Sequence, residues 1–247
     1  MKTGILLHVY NLLAADWEHI VWGDPVHDAL GVGAKLFECM LAELPFNEVA
    51  VILYDGPSHK DGMSEGYYTK KFLLKKLDEL DQFPRFRRLL EAMPAEQYQA
   101  FRQAVNNIIV GEPIENTRDE IMRATTDFKS IGAIKVIHIA AASHAPRCIL
   151  YQAQVREEGL IPSDQHWYTV ASDTCFAGTH ANDTIVIEPP HRADDPLLGL
   201  TPTLPQVLRP LYRLPAAGRR EFVRLAAIAM QDATGAASRA SDVPILR

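Results

Sequence analysis

Cysteine is scarce in this chain: Cys39, Cys148 and Cys175 are widely spaced, odd in number and never arranged as CxxC. That excludes a disulfide framework and a zinc ribbon, and it fits a reducing, cytoplasmic setting. Long apolar runs are missing too. No stretch reaches 18 apolar residues, so no transmembrane helix and no membrane partner is expected. Clustered positive charge is absent, and the formal net charge is −6, which argues against nucleic-acid binding. A local basic site for one small anion is compatible with that balance. Neither HxxxH nor HExxH occurs, so no metal is expected. The only glycine doublet of interest, "GVG" at 31–33, lacks the third glycine of a dinucleotide fingerprint and reads as a softened helix start.

What remains is an ordinary globular composition, 47% hydrophobic and 23% charged over 247 residues, enough for one large domain with a self-sufficient core. "TGILLHVY" near the start is read as a first strand rather than a signal peptide, because His8 and Asn11 interrupt the run and one lysine leads it. Residues 29–43 carry apolar positions at helical spacing, and "EVAVILYDG" is a second strand. A helix follows, with Ser64 as its N-cap. Residues 84–107 form a helical insert of two short helices divided near Pro94. "IIVGEP" is a third strand, with a helix after it ending near Gly132. "AIKVIHIAAA" is a fourth strand, followed by the helix "APRCILYQAQVREEG".

"HWYTVAS" and "DTIVIEPP" are two further strands, and helices and a frayed tail are expected beyond Pro202. Alternating strands and helices at this spacing build right-handed βαβ units. The expected fold is a three-layer α/β/α, Rossmann-like parallel sheet over residues 1–200, with C-terminal helices and a tail over 201–247.

Ligands of such sheets bind beyond the carboxyl ends of the strands, so the residues after each strand carry the functional reading. After strand one come His8, Tyr10 and Asn11, then a loop with His27 and Asp28. After strand two, Asp55-Gly56-Pro57 turns into a polar loop ending at Ser64 and Glu65, where a helix N-terminus would favour an anion. After strand three, Thr117 with Glu120 makes a capping box, leaving Asn116 to face the crevice. After strand four comes "SHAPR". His144 and Arg147, three apart, share one face of a first helical turn, and Ser143 precedes them. Arginine offers a planar donor fork for phosphate or carboxylate, and histidine a proton-transfer group near neutral pH. His138, inside the apolar strand, reads as a satisfied core histidine. After the last strand, Glu188, His191, Arg192, Asp194 and Asp195 form either a site or a polar turn.

Three of these segments together resemble the DUF218 family, also called the ElyC/SanA/YdcF family. "YDG…MSEGYYTKKFL" is similar to its Gly-containing loop and Ser-Glu helix start, with Gly56, Ser64 and Glu65 in place. "EPIENTRDEI" is similar to its S-x-N-T-x-E-N motif at Asn116 and Thr117. "IHIAAASHAPRCILY" is similar to its V-T-S-x-x-H-x-x-R-A motif at Ser143, His144 and Arg147. The chain departs from the pattern at Ile114, at Asp119-Glu120 and at "HVYN" after strand one, and the likeness covers roughly residues 4–157. The resemblance implies a Rossmann-like fold and a nucleotide-type ligand, S-adenosylmethionine included.

The function expected from residues and resemblance together is an enzyme acting on a small phosphorylated or nucleotide-like metabolite by transfer or hydrolysis. His144, Arg147 and Glu65 are its expected catalytic residues, with His144 as acid or base. Asp55, Gly56, Ser64, Asn116, Thr117 and Ser143 are expected to bind the ligand. A non-catalytic nucleotide-binding regulatory module and a metal-assisted hydrolase using Asp55, His144, Glu188 and His191 stand as alternatives.

Overall fold

Five apolar runs pair in register to make one all-parallel sheet. They are β1 (Lys2–Leu7), β4 (Glu48–Tyr54), β7 (Ile109–Gly111), β8 (Lys135–Ala140) and β9 (His166–Ala171), in the spatial order β7-β4-β1-β8-β9. Counted along the chain this is 3-2-1-4-5, so the strand order reverses between β1 and β8. A computed structural model describes residues 2–174 except 15 and 115, together with 185–187, 200–202, 215 and 217–218.

Helices join the strands: α1 (Trp17–Val21), α2 (Val32–Glu43), α3 (Glu65–Lys76), α4 (Pro84–Ala92), α5 (Ala95–Asn106), α6 (Thr117–Ser130) and α7 (Ala145–Glu157), with a 3-10 turn at Leu77–Gln82. Three small antiparallel ribbons complete the described part. They pair β2 (Gly23–Asp24) with β3 (Ala29–Leu30), β5 (His59–Lys60) with β6 (Met63–Ser64), and β10 (Ile185–Ile187) with β11 (Leu200–Pro202).

Strand alternation sorts the core into two layers. Ile5, Leu7, Val51, Leu53, Ile137 and Ile139 face a large cluster built with Phe37 and Met40 of α2, Leu73 of α3 and Phe101 and Val105 of α5. Leu6, Ile52, Tyr54 and Val136 face the opposite way, onto Ala124 and Phe128 of α6. The close approach on this second face needs Gly4, where a Cβ would stand 2.5 Å from the Phe128 ring. α7 packs on α6 through Ile121, Tyr151 and Val155. The result is the expected three-layer, Rossmann-like arrangement. The segment 84–107 is two helices as expected, and it belongs to the main core: Phe86 and Phe101 are fully buried, and the Phe101 ring meets Phe37 at 5.6 Å.

Four local expectations change. The first strand stops at Leu7, because His8 onward turns into the loop over the sheet end. Residues 29–30 pair with Gly23–Asp24 instead of starting a helix. That tight turn needs Gly31, where a Cβ would collide with the Val21 backbone at 2.5 Å. "DTIVIEPP" does contribute a strand, but β10 pairs with the unexpected β11 and not with the five-stranded sheet. The Thr117/Glu120 capping box does not form. Asn116 is the N-cap and accepts from the Asp119 N–H at 3.0 Å, which moves the cap one residue upstream and releases Glu120. Of the helices expected beyond Pro202 only residues 217–218 are described, and these are helical; Glu188, His191, Arg192, Asp194 and Asp195 lie outside the described residues.

Candidate functional site

At such a strand-order reversal the connections after β1 and β8 leave toward opposite faces, and the crevice in which parallel sheets of this kind bind ligands lies beyond the carboxyl ends of these two strands. Three histidines gather there. His8 follows β1, His138 lies within β8, and His144 follows β8 as the residue before α7. The His8 and His144 rings stack at 4.4 Å between centroids with an 18° interplanar angle. His138 meets His8 edge-on at 6.0 Å.

Each histidine is held by a different neighbour. His8 Nδ1 makes a short contact with a carboxylate oxygen of Glu120, which the displaced cap has freed from the start of α6. His144 Nε2 lies 3.2 Å from the Thr117 hydroxyl. His138 Nδ1 lies 2.8 Å from the side-chain amide of Gln152 on α7, and that amide is itself held by the Thr169 hydroxyl of β9. Burial, followed by the charges of His8 and His144, holds His138 well below the ordinary histidine range, so its ring is neutral.

No family model, curated protein or solved structure matches this chain significantly. The site therefore stands on its own geometry.

Of the expected residues, Ser143, His144 and Arg147 do share one tight turn. The N–H groups of His144 and Ala145 both reach the Ala141 carbonyl, and all three residues are buried. Arg147 is wholly buried, with its guanidinium 5.6 Å over the Tyr151 ring. Thr117 joins His144 as described. Asn116 does not present its amide to the crevice, because that group donates to Asp119 at 2.7 Å while its oxygen caps α6.

The second expected anion site, at the start of α3, is occupied from within. Asp55 Oδ1 accepts from the N–H of Gly66 at 2.7 Å and of Gly56 at 3.1 Å, so the chain's own carboxylate takes the helix end. Ser64 stands at the N-cap position without a capping bond of its own. It lines a separate surface groove of about 520 Å³ beside Tyr67, Lys70 and Lys71. Glu65 is buried and takes a short hydrogen bond from Ser58, whose oxygen accepts from the Leu12 N–H at 2.9 Å. Burial pushes the Glu65 carboxyl above its usual range despite the Ser58 bond. Gly56 serves this arrangement: a Cβ there would lie 2.6 Å from the Glu65 carboxylate.

Four participants were not among the expected site residues: His8, Glu120, His138 and Gln152. His8 carries the only usable signal, as the first polar residue after a strand that proves to be central. Glu120 matched a capping pattern, and nothing local joins it to a histidine 112 residues away. Among the described residues no helix is long and apolar enough to cross a membrane.

Proposed function

We propose that the chain is an enzyme that binds a small phosphorylated or nucleotide-like metabolite in the crevice between β1 and β8 and transfers or hydrolyses a group there. The observation that carries this reading is the His8–His144 stack at the point of strand-order reversal, locked on one side by Glu120 and on the other by Thr117. A histidine fixed by a hydroxyl on one nitrogen and by a stacked ring on its face is pre-oriented for proton transfer, which lowers the cost of reaching a reactive geometry.

His144 is the acid or base in this reading. Arg147 and the first turn of α7 supply the positive end that favours a phosphate or carboxylate. His8 and Glu120 form the supporting pair beneath. The DUF218 resemblance supports the same residues, since Ser143, His144 and Arg147 are the positions that carry its third motif. Asp55 and Gly56 organise the neighbouring helix start instead of touching the metabolite.

A thermal-shift screen against nucleotides, sugar phosphates and S-adenosylmethionine supplies the ligand, and turnover of each hit is then followed directly. His144→Gln is expected to bind the hit within about threefold of the parent and to lose about 10²–10⁴-fold in kcat, the usual weight of a positioned acid–base group. Unchanged turnover by His144→Gln would remove the proton-transfer role. A ligand bound at full occupancy and recovered intact after long incubation would leave a binding module in place of an enzyme.

A further inference from the structure

His138 presents an electrostatic problem that the metabolite reading does not use. It is completely buried, and among the described residues its Nε2 has no hydrogen-bond partner. With Gln152 donating to Nδ1, the ring proton must sit on Nε2, where it buries an N–H without an acceptor. Turning the Gln152 amide over exchanges its oxygen and nitrogen in place. Its oxygen then accepts from His138 Nδ1–H, its nitrogen donates to the Thr169 hydroxyl, and Nε2 is left with an inward lone pair.

That lone pair has company. One donor atom each from His8, His138 and Cys148 lie within 4.8 Å of one another. Some point then lies within about 2.8 Å of all three, against about 2.0–2.1 Å for a Zn–N and 2.3 Å for a Zn–S bond, so small side-chain movements complete a coordination sphere. The surroundings are those of a metal centre. His8 has its Nδ1 on the Glu120 carboxylate, and His138 its Nδ1 on the Gln152 amide, so each ring is oriented by an outer partner. Cys148 is buried on the first turns of α7 against Ala140 and Ala145.

We propose that His8, His138 and Cys148 bind one divalent transition-metal ion of zinc type. Two imidazoles and a thiolate suit zinc or cobalt and exclude magnesium and calcium, which require oxygen donors. Binding replaces the thiol proton: the S–H bond breaks, the sulfur lone pair forms the S–metal bond, and one proton per ion passes to solvent. No redox step is involved. The spacing of these residues along the chain matches no zinc signature, which is why the sequence carries no sign of the site.

The test uses the full chain, stripped with chelator and titrated with Co²⁺ and then Zn²⁺, with no metabolite present, so its outcome is separate from that of the enzyme reading. One Co²⁺ per chain is expected, with the visible bands of a tetrahedral centre and a thiolate-to-metal charge-transfer band, both abolished by Zn²⁺. Cys148→Ser should lose the charge-transfer band, while Cys39→Ser and Cys175→Ser keep it. Gln152→Ala, with its fold verified by circular dichroism, should bind about 10–100-fold more weakly. If Cys148→Ser does not fold, Zn²⁺ protection of Cys148 from alkylation in the parent chain, read by mass spectrometry, takes its place. Cys39, whose thiol burial pushes up to about 11, is the internal reference in that assay. Absence of stoichiometric uptake, a charge-transfer band that survives Cys148→Ser, or absence of protection would each overturn the proposal.

Discussion

Asp55 decides whether the loop after β4 is a ligand site or a structural joint. Its carboxylate accepts from two backbone N–H groups, one of them Gly66 at the start of α3, whose own N-cap residue Ser64 makes no capping bond. The backbone of Asp55 is also tied into the fold, since its N–H reaches Gly111 and its carbonyl accepts from Ile114. Asp55→Ala therefore strips a charged cap from a buried helix end and leaves two N–H groups without that acceptor. Losing an N-cap costs about 0.5–2 kcal/mol, and losing a favourable charge at a helix N-terminus about 0.3–1 kcal/mol more. With the second N–H included, the total comes to about 2–4 kcal/mol.

For a chain of this size that corresponds to a fall in Tm of about 4–16 °C. Asp55→Asn keeps the accepting oxygen and gives up only the charge, so about 1 kcal/mol is expected. Urea denaturation followed by circular dichroism measures both variants. The ranking parent, Asn, Ala should appear in midpoint with a common slope. An Asp55→Ala protein within about 0.5 kcal/mol of the parent would refute the reasoning. So would an Asp55→Asn variant that stayed fully stable but lost affinity for the metabolite, because the carboxylate would then belong to the ligand.

Two other perturbations test the packing and the electrostatics. Gly4→Ala places a methyl 2.5 Å from the Phe128 ring in a layer with no room to yield, and should cost about 1–3 kcal/mol in thermal or chemical melts, partly relieved in the double variant with Phe128→Leu. Glu65 has a folded-state pKa raised by burial, so the native protein holds its proton more tightly than the unfolded chain. The associated stability is full below the unfolded carboxyl pKa and is lost as pH rises through the folded one. Glu65→Gln should accordingly flatten that decline in a Tm-against-pH series and leave the variant at least as stable as the parent near neutrality; an unchanged slope would contradict the assignment.

The order of strands and helices was legible because each element carries its own periodicity and its own stop. The Val- and Ile-rich β4 ends at Asp55-Gly56, α6 ends by Gly132 in its left-handed turn, and the 84–107 insert divides at Pro94. β11 was not legible, since a segment ending in proline reads as irregular until a partner pairs with it. The site divides along the same line. Ser143, His144 and Arg147 were found because one turn contains them all. His8 with Glu120, and His138 with Gln152, were not found, because each pair is made by strands and helices meeting across the fold. The Thr-x-x-Glu pattern at 117–120 misled for a local reason: Asn116, one residue earlier, is the better cap and took the position.

The 3-2-1-4-5 strand order also governs when this site comes into being. β1 lies at the centre of the sheet and precedes both of its neighbours, β4 and β8, in the chain. His8 cannot meet Glu120 until 112 further residues have been made, nor stack on His144 until β8 is in place beside β1. Contacts this distant in sequence form late and slowly, and a nascent chain lacking β8 exposes one edge of its central strand. The His8–Glu120 and His8–His144 contacts are thus both in place only after β8 has joined β1.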